Sequence, residues 1–263
     1  MDFIKTIIQQ RKLIFQLGKN EFRNKFANTN LGAVWGFVQP FVFMITYVIV
    51  FQFILKTNSS GDSPYIVWFL PGMAMWLFLN DTILTASMSI RNYSYLVKKV
   101  IFPVDIIPLI SMVSSSVVGL FLIFVAIMVC TIMGFFPNLL LILYILLCFY
   151  LFVISFTRIT SAICTIIPDF SQLLNVVMQL LFWFTPIIWN LDMLKDHPTI
   201  CSVMKSLPFT YLINGMRSAF INPSAFFKEN WIATIVFWVV TLIFFAWGNK
   251  LFKRSKKEFA DVL

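Results

Sequence analysis

NLLLILYILLCFYLFVISFTRITSAIC, residues Asn138–Cys164, is a run of 27 residues whose one charge is Arg158. A helix rises 1.5 Å per residue, so about 20 apolar residues cross the roughly 30 Å hydrocarbon core of a bilayer. This run exceeds that length and reads as a membrane-spanning helix. Five further runs qualify: Ala33–Ile54, Tyr65–Ser87, Pro108–Met133, Leu173–Trp189 and Trp231–Gly248. Only the turn GFFPN (Gly134–Asn138) separates the third and fourth, which makes them a tight helical hairpin. The whole chain agrees: of its 263 residues 60% are hydrophobic, 17% aromatic and 12% charged, against about 25% charged in a soluble domain. The expected fold is therefore an all-α integral membrane protein with six transmembrane helices. Four cysteines exclude a disulfide scaffold, and the hydrophobicity excludes a free nucleic-acid binder despite a net charge of +9.

Two segments lie outside this pattern. Residues 1–30 intersperse Lys5, Arg11, Lys12, Lys19, Arg23 and Lys25 among apolar side chains and carry no cleavage-site pattern. They read as an amphipathic interface helix lying in the membrane surface, with residues 31–263 forming the six-span domain. Between the fifth and sixth spans, residues 190–230 are too long for a simple connection and too mixed for another span. Their apolar pieces, Ile200–Leu207 and Tyr211–Phe220, read as two short external helices, interfacial or re-entrant. With both termini on one side, 15 of the 20 Lys and Arg residues share that side, and Lys56, Lys195, Lys205, Arg217 and Lys228 lie on the other. The positive-inside rule then places both termini in the cytoplasm.

Enzymatic signatures are missing. There is no G-x-x-x-x-G-K-[ST] phosphate loop, so the chain has no such route to ATP hydrolysis. Cys130, Cys148, Cys164 and Cys201 form no C-x-x-C pair, and His197 is the only histidine, with no evident metal or catalytic partner. A membrane-embedded glycosyl- or acyltransferase would need a paired acid or histidine constellation, which the sequence does not display.

Five motifs occur in order: LGAVWGFVQP (Leu31–Pro40), YIVWFLPGMAMWLF (Tyr65–Phe78), YLVKKVIFPVDIIPL (Tyr95–Leu109), IPDFSQLLNVVMQLLFWFTPIIW (Ile167–Trp189) and LPFTYLINGMRSAF (Leu207–Phe220). Together with the six spans and the amphipathic start, they resemble the permease subunits of bacterial ATP-binding-cassette exporters of the polysaccharide class. Those proteins export lipid-linked O-antigen, teichoic acid or capsule across the bacterial inner, or plasma, membrane. The resemblance implies a homodimer whose two short external helices act as gates. It also implies two separate ATPase subunits that carry the ATP and magnesium, and no cofactor bound by this chain. Residues 91–108 would then be the coupling loop that docks on the ATPase. Lys98 and Lys99 supply charge, Val100, Ile101 and Phe102 an apolar plug, and Pro103 with Pro108 stiff exits. An ordinary positive-inside loop is the alternative reading of that segment.

Two helical faces carry the substrate reading. Gln172, Asn175 and Gln179 recur at i, i+3 and i+7 in the fifth span, continued by Trp183 and Pro186. Trp35, Gln39, Phe43, Tyr47 and Phe51 follow at intervals of four in the first. Rings stack on pyranose faces while amides meet hydroxyls, so both stripes are candidates for lining a sugar channel. Interhelical hydrogen bonds and core packing are the alternatives. Arg11, Lys12, Arg23 and Lys25 could recruit the anionic pyrophosphate of a lipid-linked cargo, or could simply set topology and attract headgroups. A drier cavity would instead suit an exporter of small hydrophobic drugs in the same superfamily. Asp81, beside Asn80, is the acid well inside a span and is open to a wetted or lysine-paired role. Pro71 and Pro186 should kink or break their helices.

Overall fold

A computed structural model describes residues 2–27, 30–54, 63–99, 102–194 and 196–263. Among them the regular elements are all helical. Helix α1 (Asp2–Lys25) is followed by α2 (Trp35–Val48), which opens on a 3-10 turn and closes on the π-helical turn Ile49–Ile54. Then come α3 (Tyr65–Asn92), α4 (Ser94–Lys99), α5 (Ile107–Ile132) and α6 (Leu139–Ile166). The chain ends with α7 (Phe170–Phe184), α8 (Pro198–Ser206), α9 (Pro208–Ile221), α10 (Phe226–Glu229), α11 (Trp231–Ser255) and α12 (Phe259–Val262).

Helix α3 is the axis of the molecule. It is the most buried of the long apolar helices, and α2, α5, α6, α7 and α9 pack around it. The α5–α6 hairpin follows from its turn residues. Gly134 takes φ +88°, the left-handed conformation that ends helices, while its N–H donates to the Thr131 carbonyl and that of Phe135 to Cys130. Asn138 then caps α6 by accepting from the Leu141 N–H at 3.1 Å. Helix α1 is amphipathic as expected. Ile14, Gly18 and Phe22 are buried, with Gly18 set against Val113 of α5, whereas Arg11, Lys12, Lys19 and Arg23 are exposed.

Among the described residues, five helices are long and apolar enough to cross a membrane. The expected fifth span is shorter than the sequence suggests. Helix α7 has 15 residues, about 22 Å of rise, and stops at Phe184 instead of continuing to Trp189. Pro186 cannot donate to the helix ladder, and the backbone at Thr185 turns extended. Pro71, by contrast, lies inside the unbroken α3.

The break after α7 is held by Arg217 of α9, a residue whose sequence position suggested only a loop charge. It is 4% exposed. Its Nη1 donates to the Pro186 carbonyl and its Nη2 to that of Ile187, both at 2.6 Å, and its Nε donates to the Trp68 carbonyl at 3.0 Å. The guanidinium stacks 3.7 Å from the Trp68 ring centroid, and a side chain at Gly72 would collide with it. Thus α9, expected as one of two short external helices, is a buried element tied to α3 and to the end of α7. Its companion α8 is largely exposed.

At the opposite end of the bundle, Asp105 accepts from Arg158 of α6 at 3.2 Å and from Lys256, which follows α11. The Arg158 guanidinium lies 3.8 Å from the Phe3 ring and 4.5 Å from that of Phe252. The start of α1, the loop after α4 and the C-terminus therefore meet at one end.

Candidate functional site

Helices α2, α3 and α7 bound a groove of about 1030 Å³. Helix α7 turns Leu174 and Met178 into the core, and this registers Gln172, Asn175 and Gln179 toward the groove. Trp183 stands at its edge, while Phe43 and Tyr47 come from α2 and Trp76 and Asn80 from α3. Six of the eight residues read from sequence as channel lining thus share one surface. The amides do not join helices: the Asn175 side chain donates to the Ser171 carbonyl of its own helix at 3.0 Å, and among the described residues none of the three bridges to another helix. Amides left free in hydrocarbon are costly, so this face requires water, ligand or protein against it. Tyr47 also packs between Phe69 and Phe182, at 6.2 and 6.0 Å, so it serves the core as well as the groove.

The other two residues part company with this set. Gln39 lines a smaller cavity of about 270 Å³ beside Lys25, Asn80 and Asp81. The two spaces share Phe43, Leu77 and Asn80. Trp35 lines neither and is 44% exposed. In the smaller cavity Lys25 pairs with Asp81 at 3.2 Å, as the lysine-paired reading of that acid allowed. Of the four cations considered for pyrophosphate recruitment, Arg11, Lys12 and Arg23 are exposed without such a partner among the described ion pairs, and Lys25 holds this acid.

Glu21 has no counterpart in the sequence reading. Its Oε2 accepts from the Tyr93 hydroxyl at 2.8 Å and from the Ser111 hydroxyl at 3.0 Å, joining α1 to the α3–α4 junction and to α5. The signal was available: Ile14, Gly18 and Glu21 fall at i, i+4 and i+7, on the face of α1 that packs inward. Burial raises the Glu21 carboxyl above its ordinary range, against the lowering effects of the two hydroxyls and Lys25. Its stabilising contribution is therefore present below the usual carboxylate range and lost as pH rises through the raised value. Glu21→Gln keeps an accepting oxygen and should stay within about 1 kcal/mol of wild type while flattening that pH dependence. Glu21→Leu strands both hydroxyls and should cost about 1–3 kcal/mol in denaturation of the purified protein.

The expected coupling residues divide. Lys98 is exposed on α4, Lys99 ends that helix, and Pro103 leads into the turn Val104–Ile106. Val100 and Ile101 lie outside the described residues. Phe102, read as part of the apolar plug, is partly buried and packs against the cluster of Ile90, Val104, Ile107, Ala162, Phe252 and Phe259. Part of that cluster, Phe252 and Phe259, comes from the C-terminal segment, which the sequence reading treated only as a source of charge.

Residues 12–221 match the family model described as "ABC-2 type transporter". Over 98% of both chains the sequence is 22% identical to the "O-antigen export system permease protein RfbA" of Myxococcus xanthus. It is 20% identical to a protein of the same name from Klebsiella pneumoniae, over 95% of each.

Proposed function

The chain belongs to the ABC-2 type transporter family, and from that premise we propose that it is the membrane subunit of an ATP-driven exporter of a lipid-linked polysaccharide. The observation that carries this reading is the shared exposure of Gln172, Asn175 and Gln179 with Phe43, Tyr47 and Trp183 on one wide groove. Amides exchange hydrogen bonds with sugar hydroxyls, and aromatic faces cover the apolar side of pyranose rings, so a polymer can slide without a single tight site. The curated relatives' names point to the same cargo class. A small-hydrophobe exporter would have no use for three amides turned into its groove.

The groove is open along one side, and a second copy of the chain would close it into a channel. ATP and magnesium belong to a separate nucleotide-binding subunit, two copies per transporter, seated under the end that carries α4. The charge distribution turns that end toward the cytoplasm of a bacterial cell, with the permease in the inner, or plasma, membrane. Exposed Arg11, Lys12 and Arg23 would hold the pyrophosphate headgroup at that surface.

The test is a triple variant, Gln172→Leu with Asn175→Leu and Gln179→Leu. Each amide–hydroxyl bond contributes about 0.5–1.5 kcal/mol, so losing three should lower export at least about tenfold. Surface polysaccharide would be quantified in cells whose membranes contain the usual amount of permease and bound ATPase. Undiminished export by the triple variant would refute the assignment of this groove as the polymer's path.

A further inference from the structure

The segment after α11 does more than add positive charge. Lys256 reaches Asp105, which lies just beyond the coupling loop's Pro103. Glu258 donates its N–H to the Ser255 carbonyl, turning the chain back, and Phe259 then enters a closed cluster. It is fully buried, edge-on to Phe252 at 5.6 Å, in the pocket formed with Ile90, Val104 and Ile107. Helix α12 lies against both α4 and α6. An aromatic side chain buried in so basic a tail must stabilise a particular placement, because a tail serving only topology needs no fixed seat.

We propose that residues 256–263 are a structural half of the ATPase-docking surface, with Phe259 the positioning residue that holds α4 and Lys256 the tie to the loop's exit. This rests on the reading of the chain as a permease with a separate ATP-binding subunit. Helix α4 follows directly on α3, the central helix, and α12 lies against it. Lys98, Lys253, Arg254 and Lys257 are exposed there, with Tyr95 beside them on α4 and only Glu258 as an exposed acid among the described side chains of the tail. That composition fits an acidic cleft on the partner's surface, in which a basic rim steers docking and an aromatic supplies contact area. Movement of the partner would then reach α6 and α11 through Asp105 and Phe259 at once, not through the α3–α4 connection alone.

The experiment uses the full-length permease co-expressed with its ATP-binding subunit. Three quantities are measured: permease in the membrane, ATP-binding subunit retained on purification, and polysaccharide exported. The double variant Arg254→Glu with Lys257→Glu alters exposed side chains and should leave permease abundance unchanged. Retained ATP-binding subunit should fall about tenfold, the size of loss typical when charge complementarity at an interface is reversed. Phe259→Ala should lower retention similarly, and Phe259→Leu, which refills the pocket, should restore it. Should Phe259→Ala fail to accumulate, the double charge variant decides alone. Full retention and normal export by the double variant overturn the proposal. So does full retention combined with lost export, which would give these cations a role other than docking the ATP-binding subunit. A wild-type permease that retains no ATP-binding subunit would instead refute the underlying reading.

Discussion

Arg217→Leu is expected to be the most damaging single substitution in the chain, with a loss of about 3–6 kcal/mol from two buried carbonyls left without a donor and from the lost stacking on Trp68. The leucine removes the cation, so no charge is stranded. It leaves the carbonyls of Pro186 and Ile187 without their donor in a region closed to water, and takes a second donor from that of Trp68, which lies inside α3. Each orphaned acceptor costs about 1–3 kcal/mol, and the backbone after α7 has no ladder partner to substitute. Arg217→Lys should recover only part of the loss. A lysine has no planar fork to reach three carbonyls in different directions, and it stacks less well on Trp68. The measurements are the melting temperature of the purified protein in detergent and the rate of proteolysis within Thr185–Trp189. A leucine variant with wild-type melting and the same protection of that segment would show that Arg217 does not hold the break.

Asp105→Ala should come second, at about 3–5 kcal/mol, for the opposite electrostatic reason. Here the cation stays. Arg158 is 2% exposed, and two of its nitrogens, Nε and Nη1, have no hydrogen-bond partner even in the intact protein. Asp105 and the faces of Phe3 and Phe252 are what offset its desolvation. Without the carboxylate, a buried charge is left on aromatic rings alone. The decisive arm is therefore the double variant Asp105→Ala with Arg158→Met, which removes both charges and keeps the packing of a long side chain. It should recover most of the stability lost by Asp105→Ala. If the double variant is as unstable as Asp105→Ala or worse, the ion pair does not carry the effect. Lys256 is released in both variants, so its contribution cancels in the comparison.

The sequence displays the long helices because their signal is length and hydropathy, which need no tertiary context. The amide stripe is legible for a related reason. Three polar residues at i, i+3 and i+7 in an apolar run are costly wherever they face lipid, so their common direction already marks a wet surface. What sequence cannot show is which polar groups find each other. Arg217 counts as a loop charge until α9 is seen to lie against the end of α7, and Lys25 counts as a free cation until Asp81, 56 positions later, appears beside it. Phe102 reads as part of an apolar plug beside Lys98 and Lys99, and the cluster it packs against includes Phe252 and Phe259, from the far end of the chain. Trp35 and Gln39 precede Phe43 and Tyr47 at intervals of four, but that spacing drifts around a helix of 3.6 residues per turn. Over two repeats the drift moves Trp35 off the groove altogether.

The brevity of α7 has a consequence for the membrane itself. Its amide-bearing wall covers about 22 Å of an apolar depth near 30 Å. The missing 8 Å or so is supplied by Thr185–Ile188, irregular backbone that is buried under neighbouring helices rather than offered to lipid. A bilayer meets such a shortfall by thinning locally or by leaving the gap to protein. Beside this groove, then, the barrier that a hydrophilic chain must cross would be lowered. Export would be eased as much by the insulation removed at α7 as by the contacts offered along it.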